Sequence, residues 1–480
     1  MNLLLLLILL FLLTFQQDKY KFVFQIHRHG ARAPVYNMIK NVIDNKTYID
    51  IYNETWNFNG ELTETGKRMH YLIGVYNRKK YININNSLLS DIYNPNEILV
   101  KSTNVNRTIM SIYSQLQGFY PQNSSYEISN QIPDIKLIYP QNFINDEQLL
   151  NKINESYSEY LKTNSPLPNN ITIIPVHVIN EKLHNINLYS PDYCPGIKKY
   201  YEEGKNCEEI NQFKQNLPDG LKEKLKKIND TFLDNYQTLF SFMDTLIADL
   251  YDDRKLTILE DINIEELKKA AFEFLSIDYE NVNYYYNETS IYSMSPMIRE
   301  ILFYMDDIIN NNDDQKNKVK YLIFSGHDTN IAGFEIFNNK VFNTPIEYAN
   351  FSQTEYYELF IKDFDQINEE NITEDNYYVR YLRGDIQKFE IKYTDFKNTI
   401  QKYLWSDKKI KEFCKFEVDV YKIKSKTLKY VTIILSIIDL ILIVYLIFII
   451  NEIIKKRKNK KTENDIEKLQ PLNSFKKEDN

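Results

Sequence analysis

Residues 21–34 read KFVFQIHRHGARAP, and this stretch decides the fold class. Its first part, Lys21–Ile26, alternates and ends in apolar residues, as a buried β-strand does. The strand is followed at once by a basic segment, residues 28–34, which contains a glycine and a proline and therefore indicates a turn. In α/β sheets, ligands bind beyond the carboxyl ends of strands, so a basic turn at this place is a candidate site.

The same order of strand and polar turn occurs twice more along the chain. Ile98–Val100 is a short apolar strand, and Arg107 follows it at the start of a helical pattern. Val319–Phe324 is a strongly hydrophobic strand, and His327 and Asp328 follow it before another helical pattern. We expect these polar residues to meet the basic turn at one edge of the sheet.

The region between the second and third of these strands has mainly helical periodicity, for example over Leu221–Leu250. The sequence therefore predicts an α/β fold, with a mixed central sheet flanked by helices and a mainly helical inserted second domain. We place the discontinuous α/β domain at residues 18–123 and 291–415. The helical insertion occupies residues 124–290.

Two apolar runs lie near the ends of the chain. Residues 1–17 are predicted to be a signal peptide, with an uncleaved anchor as the alternative because no basic residue precedes the leucines. Residues 431–450 are long enough for a transmembrane helix, although Asp439 lies in its middle. The basic cluster that starts at Lys455 places the tail, 451–480, in the cytoplasm. The predicted topology is single-pass type I, with a lumenal or extracellular body in a lysosome, in a digestive vacuole or at the cell surface.

Charge, cysteines and glycosylation sequons limit the partners and the compartment. The formal charge of −8 argues against a nucleic-acid partner, and the basic cluster beside the membrane is expected to contact anionic lipid headgroups. Three cysteines allow at most one intrachain disulfide and fit an oxidising compartment. The sequons that support a glycoprotein begin at Asn45, Asn170, Asn287 and Asn371.

Three arginines and two histidines gathered at one sheet edge would form a strongly positive pocket for a compact anion. Phosphate fits best, because a guanidinium group can donate two parallel hydrogen bonds to two phosphate oxygens, and helix N-termini add backbone donors. Gly30 would let the backbone approach the anion closely. In such a pocket His29 can attack phosphorus if its reactive nitrogen is unprotonated, and Asp328 can protonate the leaving alcohol.

Residues 28–34, RHGARAP, match the signature Arg-His-Gly-x-Arg-x-Pro of the histidine acid phosphatases, a family within the phosphoglycerate-mutase-like superfamily. The pair formed by His327 and Asp328 resembles a second family motif, and residues 101–108 resemble a third. These segments occur in the family's order. The chain between the two apolar runs is thus similar to a membrane-anchored acid phosphatase.

The resemblance implies a two-step hydrolysis of small phosphomonoesters. His29 would become phosphorylated, and Asp328 would donate a proton to the departing alkoxide and later assist water as a base. No metal or other cofactor is required, because arginines stabilise the charge that a metal would otherwise bear. An acidic optimum would follow if Asp328 must be protonated. The residues expected to hold the phosphoryl oxygens are Arg28, Arg32, Arg107 and His327.

The sequence also departs from the family's pattern. Asn104 and Asn106 replace two acids that would orient Arg107. The chain has fewer cysteines than better-known members. The disulfide pairing stays open, and Cys194 with Cys207 is one possible local pair. A phytase or another inositol-phosphate phosphatase is the alternative enzyme, and a catalytically inactive ectodomain used for binding is the alternative from another class. A monomer and a homodimer both stay open.

Overall fold

The computed structural model describes residues 18–35, 42–43, 46–47, 58–83, 87–127, 147–156, 165–179, 194–228, 233–252, 263–282, 288–310, 318–414 and 419–467. The predicted signal peptide and the sequons at Asn45 and Asn287 lie outside these residues. The chain divides into two compact units, Met1–Cys414 and Lys415–Asn480.

Nine strands and thirteen α-helices occur in the described residues. The strands are β1 (Lys19–Arg28), β2 (Val42–Ile43), β3 (Lys46–Thr47), β4 (Ile98–Thr103), β5 (His177–Ile179), β6 (Tyr321–Gly326), β7 (Thr354–Ile361), β8 (Tyr377–Arg383) and β9 (Ile386–Lys392). The helices are α1 (Glu64–Tyr81), α2 (Asn106–Phe119), α3 (Glu147–Ser156), α4 (Pro195–Gly204), α5 (Glu208–Asn216), α6 (Asp219–Ile228), α7 (Tyr236–Tyr251), α8 (Ile264–Ile277), α9 (Glu288–Asn310), α10 (Asp328–Phe342), α11 (Tyr393–Gln401), α12 (Asp407–Cys414) and α13 (Asp419–Glu467).

A seven-stranded mixed sheet in the order β5-β4-β6-β1-β7-β8-β9 forms the centre of the first unit. The strands from β5 to β1 are parallel, whereas β7, β8 and β9 each run antiparallel to the strand before them in that order. This confirms the predicted mixed sheet flanked by helices. Because Arg28 is level with Gly326, and Ser102 with Ser325, the carboxyl ends of β1, β6 and β4 lie side by side.

The helical segments pack against the loops at this edge of the sheet. One hydrophobic core joins α5, α6, α7 and α8, and it also contains Ala31 from the basic turn and Phe351 from the loop before β7. The helical periodicity predicted over Leu221–Leu250 corresponds to two helices, α6 and α7. Asn235 caps α7 by accepting a hydrogen bond from the Thr238 backbone N–H at 3.1 Å. The boundaries of the inserted domain stay a prediction.

The disulfide is not the possible local pair of Cys194 with Cys207. Cys194 is bonded to Cys414, 220 residues away, with their Cα atoms 4.7 Å apart, and Cys207 is a buried free thiol. Cys207 precedes α5 and lies in the core of the helical segments, whereas Cys194 precedes α4, which packs against α12. Contact between these two helices, and not nearness along the chain, determines the pairing.

The described residues of the second unit, 419–467, form one long helix, α13. Within it, Thr432–Arg457 is long and apolar enough to cross a membrane, with a mean hydropathy of 3.2. It is the one described helix with that length and composition. The segment overlaps the predicted span, 431–450, and extends into the basic cluster.

Candidate active site

All six predicted site residues lie near one another, just beyond the carboxyl ends of β1, β4 and β6. The backbone N–H of His29, directly after β1, donates a 2.9 Å hydrogen bond to the carbonyl of Gly326 at the end of β6. Arg107, at the start of α2, lies within 3.5 Å of the His327 ring through its Nη2 atom. The predicted juxtaposition of segments some three hundred residues apart therefore occurs.

The imidazole of His29 is buried, with only 2% of its surface exposed. Its Nδ1 atom lies 2.9 Å from the carbonyl oxygen of Gly30. A carbonyl oxygen can only accept, so Nδ1 carries the proton in the neutral ring and Nε2 keeps a free lone pair. The fold thereby selects the tautomer that a nucleophilic Nε2 requires.

Arg28 lies beneath this histidine and is fully buried. Its Nη1 donates to the carbonyl of Ala349 at 2.6 Å and to the hydroxyl of Tyr348 at 3.1 Å. Its Nη2 pairs with Asp328 Oδ2 at 2.7 Å. The face of the Phe351 ring lies 4.3 Å from the guanidinium carbon, which is a cation–π contact. The position of Arg28 is thus fixed by a backbone carbonyl, a phenol hydroxyl, an aromatic ring and a carboxylate.

Asp328 occupies the first position of α10, and its other oxygen, Oδ1, accepts from the Thr329 backbone N–H at 2.9 Å. The N-cap of this helix is His327, so Asp328 is the first helical residue and not the cap. A carboxylate in the first turn is stabilised by the helix dipole. Asp328 is about one-third exposed, so a proton can reach it from solvent.

Arg32 depends on a residue that sequence reasoning missed. Its Nη2 lies 2.8 and 3.0 Å from the two carboxylate oxygens of Asp244 on α7, and both side chains are buried. Asp244 is an acid on a helix whose neighbouring residues are mostly apolar, and a buried acid requires a cationic partner. That signal was available, but it does not identify which arginine is the partner.

Arg107 and His327 form the remaining side of the pocket. Arg107 Nη2 donates toward His327 Nδ1 at 3.5 Å, which leaves Nε2 as the protonated nitrogen, 3.1 Å from Thr103 Oγ1. The amide of Asn106 is turned away and donates to Glu61 at 2.8 Å. It therefore does not orient Arg107 as an acid there would.

The clustered cations change the pKa values of the site. Burial, together with Arg107, Arg32 and Arg28, holds the pKa of His29 well below its usual 6.5. Burial and Arg107 also lower the pKa of His327, to about 3. Burial and the neighbouring Arg32 lower the pKa of Arg107 to about 10. Both histidines are therefore neutral over a wide range of acidic pH.

Asp328 shows the opposite balance. Burial alone would raise the pKa of its carboxyl, but Arg28, His327 and Arg32 hold it below the usual value. Without a ligand, Asp328 is an ionised partner of Arg28. An anion in the pocket would weaken the pull of the arginines on the carboxylate, and that favours its protonation.

Three hydrogen-bond donors on the arginines of this site have no partner among the described residues. The Nε atoms of Arg28, Arg32 and Arg107 are buried and have no hydrogen-bond partner in the described part of the chain. A buried donor without a partner costs about 1–3 kcal/mol. Three such donors on three converging guanidinium groups are what a bound oxyanion would satisfy.

Packing requires a glycine at position 30, in addition to the expected close approach of an anion. A Cβ atom at this position would lie 2.5 Å from the carbonyl oxygen of Gly66 in the first turn of α1. The turn that carries His29 therefore packs backbone to backbone against α1. A side chain at Gly30 would push the two apart.

The other histidines among the described residues, His27, His70 and His177, lie outside the site. His27 is buried beside His70, with ring centroids 4.7 Å apart, which agrees with its expected place in the core. His70 Nε2 lies 3.1 Å from the carbonyl oxygen of Arg28, so it supports β1 from behind. His177 is exposed on the edge strand β5.

The sequence profile of the Histidine phosphatase superfamily (branch 2) matches residues 19–382. The chain belongs to this family. The match spans the strands β1, β4 and β6 and every residue of the pocket described above.

Named relatives are acid phosphatases. The lysosomal acid phosphatase of Xenopus laevis is 25% identical over 361 residues, which cover 72% of this chain and 68% of that protein. The prostatic acid phosphatase of Homo sapiens is 32% identical over 118 residues, 23% of this chain and 28% of that protein. Among solved structures, the phytase from D. castellii aligns over 85% of each chain with a TM-score of 0.46 and 13% identity.

Proposed function

We propose that this family member is an acid phosphatase that hydrolyses small phosphomonoesters through a phosphohistidine at His29. The observation that carries the proposal is the set of three buried Nε donors without partners, on Arg28, Arg32 and Arg107, around a neutral imidazole. That arrangement matches the oxygens of a phosphoryl group next to a nucleophile. The acid phosphatase relatives support the same reaction.

In the first step, the lone pair of His29 Nε2 forms a bond to phosphorus. The bond from phosphorus to the ester oxygen breaks, and that oxygen takes a proton from the Asp328 carboxyl. The arginines neutralise the charge on the non-bridging oxygens, and the neutral ring of His327 donates a hydrogen bond to one of them. The products are the free alcohol and a phosphohistidine, with Asp328 ionised.

In the second step, water attacks phosphorus, and Asp328 accepts the proton that the water loses. The bond from phosphorus to Nε2 breaks, and its electron pair returns to His29. Inorganic phosphate leaves. The hydrogen bond between Nδ1 and Gly30 keeps the same tautomer through both steps, so no ring reorientation is needed.

The proposal is tested by assaying the full-length protein in detergent on 4-nitrophenyl phosphate over a range of pH. We expect turnover that persists well below pH 6.5, because His29 with its lowered pKa stays unprotonated there. His29→Ala should abolish turnover, whereas His177→Ala, which removes an exposed histidine, should retain it. A folded wild-type sample without turnover at any pH would instead support the inactive binding ectodomain.

We also propose that the body containing this site is lumenal or extracellular and is tethered by the apolar part of α13. The apolar segment Thr432–Arg457, the basic cluster beyond it and the disulfide between Cys194 and Cys414 support this topology. The lysosomal and prostatic relatives support the compartment. Among the described sequons, Asn371 is exposed and accessible to a glycan, whereas Asn170 is buried.

A further inference from the structure

The orientation of Arg28 depends on the loop between α10 and β7. Nη1 of Arg28 binds the Ala349 carbonyl at 2.6 Å and the Tyr348 hydroxyl at 3.1 Å. These two contacts direct Nη2 toward Asp328, 2.7 Å away. A shift of Tyr348 and Ala349 would therefore move both the phosphate-binding arginine and its carboxylate partner.

Two side chains, those of Arg383 and Glu335, hold the backbone of this loop in place. Arg383, at the end of β8, donates from Nη2 to the carbonyls of Glu347 at 3.1 Å and of Tyr348 at 2.9 Å. Glu335, on α10, accepts from the Glu347 backbone N–H at 3.1 Å and from Arg383 Nε at 2.7 Å. The backbone of the loop is thus clamped between a helix and a strand.

A second buried carboxyl lies against this clamp. Glu355, on β7, is fully buried, and its Oε1 atom is 3.5 Å from Arg383 Nε and accepts from Gln353 at 3.2 Å. Its Oε2 atom is buried with no hydrogen-bond donor among the described residues, and the carboxyl of Glu335 is its neighbour. Glu335 and Glu355 therefore share one guanidinium group.

The charges of this cluster balance only if it holds a proton. Two cations, Arg383 and Lys388, face three carboxyls, Glu335, Glu347 and Glu355. Glu347 is partly exposed and pairs with both cations, at 2.7 and 3.3 Å, so it is the carboxylate best able to stay ionised. Glu355 is the natural proton holder, because a proton on Oε2 would give that atom a bond to donate toward Glu335.

We propose that Glu335, Glu355 and Arg383 are positioning residues for Arg28, and that the single proton they hold keeps Arg28 in its phosphate-binding position. The inference rests on the proposed function, and it adds a second determinant of pH dependence, remote from the reacting atoms. Loss of the proton would place two buried negative charges side by side. Their repulsion would pull Glu335 from Arg383 and from the Glu347 backbone, and the loop under Arg28 would shift.

The burial and the charges around Glu355 determine the pH range in which this proton is lost. Burial and Glu335 raise the pKa of Glu355 well above its usual value, so the proton is held at acidic pH and lost as pH rises through that raised value. Asp328 cannot supply this alkaline limit in the free enzyme, since its pKa is lowered. The groups that interact with Glu355 from the surrounding elements are Glu335, Arg383, Tyr279, Tyr356, Tyr357 and Tyr381.

The test compares the wild type with Glu355→Gln as full-length proteins in detergent. Thermal unfolding is measured with and without inorganic phosphate over a range of pH, and kcat/KM is measured in parallel. We expect the stabilisation by phosphate to disappear in the wild type as pH rises. In Glu355→Gln, which is neutral at every pH, the stabilisation should persist, and the fall of kcat/KM at alkaline pH should move to higher pH, because the proton whose loss causes it in the wild type is no longer needed.

Glu358→Gln is the matched control. Glu358 is a second fully buried acid on β7, but it pairs with Lys80 at 2.6 Å and Tyr81 at 2.6 Å, and it makes no contact with the loop under Arg28. The alkaline limb of kcat/KM in Glu358→Gln should match that of the wild type. If Glu355→Gln does not fold, Glu335→Gln removes the same repulsion and should move the limb in the same direction.

An alkaline limb that is identical in the wild type and Glu355→Gln, or that Glu358→Gln moves equally, would overturn the inference and leave the proposed function intact. Failure of phosphate to stabilise the wild type at any pH would contradict the phosphate site, and with it the role of this cluster. The two failures are distinguishable because phosphate binding is read without turnover.

Discussion

At the scale of single residues, the pocket combines a neutral nucleophile with a cationic surround. Burial keeps His29 unprotonated, and its hydrogen bond to Gly30 exposes the lone pair of Nε2. Asp328 stays ionised until an anion weakens the pull of Arg28 on its carboxylate. The arginines therefore favour the base form of the nucleophile, and a bound anion is needed before Asp328 can hold the proton that it donates.

The proton-donor role of Asp328 leads to a prediction about leaving groups. Asp328→Ala should reduce kcat on alkyl phosphates by about 100-fold or more, since general acids contribute 10²–10⁴-fold. It should reduce kcat on 4-nitrophenyl phosphate much less, because nitrophenolate leaves without a proton. The ratio of the two losses is the measurement, with Asp328→Asn as the isosteric companion. Equal losses on both substrates would exclude Asp328 as the proton donor.

At the scale of elements, the sequence predicted the strands that carry the site and missed those at the sheet edges. β1, β4 and β6 are buried between helices, so their runs of apolar residues are easily recognised in the sequence. β5 has only three residues, and in β9 two consecutive polar residues, Gln387 and Lys388, interrupt the alternation, so both strands have a weak pattern. Asp244 was missed because its partner, Arg32, is 212 residues away and no local pattern links them.

The ion pair between Asp244 and Arg32 joins the helical segment to the sheet edge. Asp244→Asn should lower the free energy of unfolding by about 3–5 kcal/mol, the cost of leaving a buried charge without its partner. It should also raise KM more than it lowers kcat, since Arg32 would lose its orientation for the phosphate oxygens. Asp234→Asn, an exposed acid just before the same helix, is the control and should change neither quantity. Unchanged stability and KM in Asp244→Asn would contradict this role.

At the scale of the whole molecule, residues from distant parts of the chain converge on one pocket. The sequence showed the order of its motifs, but the pairing of Cys194 with Cys414 depends on how α4 packs against α12 and could not be predicted from spacing. The loop under Arg28 and the ring of Phe351 were equally hidden, because their roles exist only after β7 is placed beside β1. The family match over residues 19–382 fits this long-range architecture.

The central claim, that His29 carries the phosphoryl group, is tested most directly by trapping it. The full-length protein is quenched in alkali during turnover of a phosphate ester, and its peptides are sequenced by mass spectrometry. The account predicts a phosphoryl group on His29 that is stable in alkali, is lost in acid and is absent from His29→Ala. A phosphoryl group on another residue, or undiminished turnover in His29→Ala, would contradict it.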